Sequence, residues 1–175
     1  IVKALLAVEG LDLNPKDHRE ASALICAAES GHNAVVKLLV QRKGISFSPA
    51  FSGGPLLLAT SAGHLDVVKT LLVIDPSALN MRMSDGQTPL SRAAYRGFDD
   101  IVDYLLSFKD SIEINWGDRN NITPLMWAVF ANRVSIVKKL IAFDEIDLSP
   151  IGRMNGKTAL SIAVENGHTE VEELL

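Results

Sequence analysis

Apolar residues recur along this chain in two beats. The first is a leucine followed by small apolar residues one turn on, as in Leu24 with Ala27-Ala28 and Leu90 with Ala93-Ala94. The second is a denser stripe, as in Val35-Val36 with Leu38-Leu39 and Ile101-Val102 with Leu105-Leu106. Both spacings put the apolar side chains on one face of a helix. Between the beats stands a glycine or asparagine, at 31, 63, 97, 132 and 167, so the pattern returns at intervals of 32, 34, 35 and 35 residues. A fixed period in this range is the signature of a stacked-repeat architecture.

Local chemistry builds each unit. Ser22, Thr88, Thr123 and Thr158 stand where a hydroxyl caps a helix N-terminus, with Gly54 the weaker cap of its copy. Pro55, Pro89 and Pro124 follow at the first helical position, where a missing N–H costs nothing. Glycine then ends the first helix in a left-handed conformation, and Asn132 is the residue that next best tolerates it. A polar link such as Leu11–Glu20 or Glu113–Asn121 reverses the chain. The predicted organisation is one repeat domain over residues 1–175. It comprises a second helix without its first at 1–18, units at 19–50, 51–84, 85–119 and 120–154, and a last unit at 155–175. The entry to the 51–84 copy is two residues short, which predicts an abbreviated link.

The chain has 175 residues, 47% hydrophobic and 22% charged, with net charge −4, so it can bury a core. That balance gives no reason to expect nucleic acid or an anionic membrane as partner, and no apolar run approaches the ~20 residues of a membrane span. One cysteine, Cys26, excludes an internal disulfide and fits an intracellular setting, cytoplasmic or nuclear.

The Thr-Pro-Leu steps at 88–90 and 123–125, the Gly-His pairs at 31–32, 63–64 and 167–168, and the Asp-Leu-Asn link at 12–14 resemble the ankyrin repeat. The resemblance covers essentially the whole chain. It implies an all-α ankyrin-repeat solenoid of stacked helix-turn-helix units with short β-hairpin links. It also implies that hairpin tips and first helices line a concave face that binds another protein or another domain of the same chain. No catalysis, cofactor, metal or small-molecule substrate belongs to that plan. The histidine that usually follows Thr-Pro-Leu is absent from all five copies, replaced by Ile25, Leu57, Ser91, Met126 and Ser161. Its turn hydrogen bonds are expected to be lost, with some stability. The ends differ as well: Ile1, Val2, Leu5 and Leu6 are not a polar cap, which suggests a cut through a longer array. Glu172-Glu173 suggest that the array ends near there.

Catalytic and metal readings are weak. Cys26 shares its repeat slot with Leu58, Arg92, Trp127 and Ile162, and nearby Glu29 opposes the thiolate a nucleophile needs. His32, His64 and His168 hold one repeated position, roughly 10 Å apart between neighbouring helices, too far to share a zinc. The chain is therefore not expected to be an enzyme.

The first-helix slots two, five and six past the anchoring leucine should face the binding side. Two copies stand out there: Arg92, Tyr95 and Arg96, then Trp127 and Phe130. Arginine and aromatics are the residue types of interface hot spots. Tyr95 and Phe130 share a slot with Glu29, Ser61 and Glu165, so they are harder to explain as core. Trp116, Arg119, Ile122 and Lys157 in the adjoining links extend the candidate protein-binding patch. The rival readings are local packing of those aromatics and a spacer or sensor array within a larger signalling protein.

Overall fold

A computed structural model describes residues 1–8, 10–18, 21–47, 54–152 and 156–175. The expected shortening at the entry to the 51–84 copy falls on residues 48–53, outside the described residues. The chain divides into two compact units, Ile1–Ala78 and Leu79–Leu175.

The first unit holds α1 (Val2–Leu6), α2 (Ala23–Glu29), α3 (Asn33–Val40), α4 (Pro55–Ala62) and α5 (Leu65–Ile74). In it α2 packs on α3 and α4, and α5 packs on α3 and α4. The second unit holds α6 (Pro89–Arg96), α7 (Asp99–Leu106), α8 (Pro124–Phe130), α9 (Val134–Ile141), α10 (Ala159–Asn166) and α11 (Thr169–Leu174). Here first helices stack in the order α6, α8, α10, and second helices in the order α7, α9, α11. A short 3-10 turn at Pro76–Asn80 lies where the two units join in sequence.

The caps work as their sequence predicts. Ser22, Thr88, Thr123 and Thr158 each accept the backbone N–H three residues on. Asn132 sits at φ 53°, the left-handed turn that glycine makes in other copies. Leucine and isoleucine fill much of the core: Leu24, Leu57, Leu72, Leu90, Ile101, Leu105, Leu125, Ile136 and Leu140 are all below 2% exposed.

The links are tighter than hairpins with a ladder. Four of them show, among the described residues, a backbone hydrogen bond across the base: Asp17 to Ala21, Met83 to Gln87, Asp118 to Ile122 and Gly152 to Lys157. Among the described residues only an isolated bridge at Gly152 and Lys157 has β character. Asparagines tie successive links together. The Asn14 amide donates to Gly44 O and accepts from Ser46 N. Asn80 binds Ser111 O and Glu113 N, and Asn115 binds Glu145 O and Asp147 N, in the same way.

The bonds expected to vanish with the missing histidine are partly restored by serine. Ser161 Oγ accepts the Thr158 N–H at 2.9 Å while Thr158 Oγ1 accepts from Ser161 N, closing a capping box. Ser91 Oγ lies 3.1 Å from Thr88 Oγ1. Met126 has no hydroxyl to offer and is buried instead.

Candidate functional site

The aromatic slots of the second unit converge. Tyr95 at the end of α6 and Trp127 in α8 meet edge to face with ring centroids 5.3 Å apart. Phe130, one turn after Trp127, stacks toward Tyr95 at 6.5 Å and meets Trp127 edge-on at 6.0 Å. These separations fall in the range where aromatic pairs attract beyond their buried area. The cluster is open at one side: Phe130 is 52% exposed and Tyr95 is half-buried.

Beside this cluster lies a cleft of about 230 Å³. Ile122, Met126, Trp127, Phe130 and Ile162 supply its apolar walls, with Asn120, Asn166 and Lys157 at its polar margin. Gly152 closes it from the link. A Cβ there would stand 2.6 Å from Ile122 Cδ1 and 3.3 Å from Met126 Cε, so a larger residue would push those two side-chain ends into or out of the cleft. The Trp127 indole N–H is sealed from solvent and has no acceptor among the described residues.

The cations divide into tied and free groups. Lys157 forms an ion pair with Glu165. Arg92 points Nε at Met83 Sδ, 3.2 Å away, and one terminal nitrogen lies 3.9 Å from Asp85, so its own link holds it. Arg96 and Arg119 are exposed, and their side chains have no hydrogen bond or ion pair among the described residues. Arg119 is fixed through its backbone N–H, which donates to Asp85 O. Arg133 takes over a task done elsewhere by histidine. Its Nε donates to Tyr95 O, as the His168 ring contacts Phe130 O and the His64 ring contacts Glu29 O.

The structure therefore brings Tyr95, Trp127, Phe130, Ile122 and Lys157 around one cleft-and-cluster site, with Arg92 and Arg96 on the adjoining helix α6. Trp116 is engaged elsewhere: the Arg82 guanidinium lies over its ring at 3.4 Å. Ile162, expected on the open face, is instead 7% exposed and forms part of the cleft wall. Sequence reasoning did not single out Met126, Gly152 or Arg82. The available signal for Met126 was its replacement of the repeat histidine by an apolar residue. Among the described residues no group of histidine, cysteine, aspartate and glutamate is arranged to hold a metal ion. No helix among them is long and apolar enough to cross a membrane.

The family model described as "Ankyrin repeats (3 copies)" matches residues 1–80, 56–151 and 111–175. The chain is 30% identical to the human transient receptor potential cation channel subfamily A member 1 over 95% of this chain and 15% of that protein. It is also 30% identical to the mouse palmitoyltransferase ZDHHC13, over 97% of this chain and 32% of that protein. Identity reaches 34% with the ankyrin repeat and KH domain-containing protein mask-1 of Caenorhabditis elegans, over 93% of this chain and 7% of that protein. The chain thus spans less than a third of each of these relatives.

Proposed function

Because the chain belongs to the ankyrin-repeat family, a non-catalytic fold that serves in general for protein interaction, we propose that its second unit is a protein-recognition surface built on α6, α8 and their links. One observation carries this reading: Phe130 stays half exposed inside an ordered aromatic cluster beside an open apolar cleft. Its neighbours Ala128 and Val129 are by contrast fully covered, at 0%. Tyr95, Trp127 and Phe130 supply the anchoring area, Arg92 and Arg96 the adjoining charge, and Ile122 and Lys157 the cleft margin. Arg119 and Trp116 extend the surface along the links, Trp116 with its face already taken by Arg82. The partner is another protein or another domain of the same chain, and this segment carries out no catalysis.

Affinity capture with the wild-type chain and with a Trp127→Ala/Phe130→Ala double variant tests this. Partners held by the wild type and lost by the variant support the surface. Equal retention by both places recognition elsewhere, and favours the reading of these repeats as a spacer. In a purified complex, Phe130→Ala and Arg96→Ala should each weaken binding by about 2 kcal/mol with little change in thermal stability. Loss of stability in both variants would instead make the cluster a packing feature.

A further inference from the structure

We propose that the segment recognised here is acidic and inserts one bulky apolar side chain, of leucine or phenylalanine size, into the cleft beside Trp127. The inference rests on the recognition surface above and adds the chemistry of its occupant. Size comes first. A dry apolar cavity of about 150 Å³ is enough to take benzene, so a cleft of about 230 Å³ accepts one ring or branched aliphatic group and excludes a second. The walls are apolar, and the charge at the margin is spent internally because Lys157 is paired with Glu165. A charged anchor would lose its hydration there without gaining a partner.

Charge selects what flanks the anchor. The chain as a whole carries a net −4, yet Arg96 and Arg119 are exposed and unpaired among the described residues. Arg96 follows Tyr95 of the cluster, and Arg119 precedes Asn120 of the cleft margin. Both arginines thus stand one residue away from residues of the site, exposed and without an internal partner among the described residues. Guanidinium forks bind carboxylates with two parallel hydrogen bonds, whereas a basic segment would be repelled. The geometry therefore favours an apolar residue with aspartate or glutamate on either side.

Selection of randomised linear peptides displayed on phage against the purified chain tests this directly, followed by anisotropy with the consensus peptide. Enriched sequences should carry one bulky apolar residue flanked by acids. Alanine in place of that anchor, or Phe130→Ser in the chain, should weaken binding by about thirtyfold. Arg96→Glu should weaken it by about tenfold and flatten its salt dependence. Peptides with an apolar anchor but no acids, lost on Phe130→Ser, would overturn the acidic partner while leaving the recognition surface standing. Peptides indifferent to both variants would overturn the two together. Failure to enrich any sequence, or self-association of the chain that Phe130→Ser abolishes, would also overturn the proposal, the latter by making a second copy the occupant.

Discussion

The two units share a frame and differ in what they hang on it. In the first, the open slots of α2 and α4 hold Cys26, Glu29 and Ser30, then Leu58, Ser61 and Ala62. In the second, the same slots of α6 and α8 hold Arg92, Tyr95 and Arg96, then Trp127, Phe130 and Ala131. The buried positions barely change: Leu24, Ala27 and Ala28 become Leu125, Ala128 and Val129, all at 5% exposure or less. Interior packing constrains one set of slots, because a volume change there is felt at once. The open slots are free of that constraint and can be fitted to a partner.

If the frame is common, deleting it should cost the same in either unit. Leu24→Ala and Leu125→Ala should each destabilise by roughly 3 kcal/mol, read by urea denaturation. Leu160 occupies the same slot in α10 but is 44% exposed, with Val164 at 52%, so Leu160→Ala should cost well under 1 kcal/mol. A Leu160 effect as large as that of Leu125 would break the link between slot and burial. If the open slots carry recognition, Phe130→Ser gives the second unit the residue that the first has at Ser61. Binding should then fall by about 2 kcal/mol, measured by calorimetry, while the urea midpoint moves little.

The frame was readable because it is written in local chemistry. A hydroxyl capping a helix, proline at the first helical position and a residue able to turn left-handed each act on neighbours within a few positions. Tyr95 and Phe130 were readable by contrast with the other copies. The cleft was not, because its parts come from far apart in the chain. Gly152 matters through Ile122 and Met126, about one repeat away, and Arg82 covers Trp116 from the preceding link. The serine replacements misled for a different reason. Losing the repeat histidine predicts lost hydrogen bonds, but Ser91 and Ser161 sit one turn from their capping threonines and restore part of them.

The asparagine clamps test the common frame at smaller scale. Asn14 and Asn115 each make two hydrogen bonds to the backbone of the following link. Alanine at either position should cost about 1 kcal/mol, and hydrogen exchange should show lost protection at Ser46 or Asp147 respectively. Unequal costs would mean that the links of the two units are not held alike.

The smallest expected effect separates the units by pH. One contact between second helices is neutral in the first unit and charged in the second. Thr70 Oγ1 donates to Asn33 Oδ1 at 2.8 Å, whereas at the matching positions Lys139 Nζ lies 2.9 Å from Asp99 Oδ1. Lys139 also reaches Asp103 at 2.8 Å. The Lys139 hydrogen bond, with help from Ser135, holds the Asp99 carboxyl below its ordinary value of 3.8. Burial lowers the Lys139 ammonium, but its bonds to Asp103 and Asp99 outweigh this and raise it above 10.5. A lowered carboxyl adds stability that is present above its unfolded value and is lost as pH falls through the folded one. A raised ammonium adds stability that is present below its unfolded value and is lost as pH rises through the folded one. Between 3.8 and 10.5 the contact should therefore be insensitive to pH. Below that window α7 and α9 should lose protection relative to α3 and α5, by well under 1 kcal/mol because the pair is solvent-screened. An Asp99→Asn/Lys139→Thr variant copies the neutral contact of the first unit and should abolish the difference. If that variant keeps the acid sensitivity of the wild type, the response belongs to other carboxylates, and this charged contact contributes nothing to the contrast.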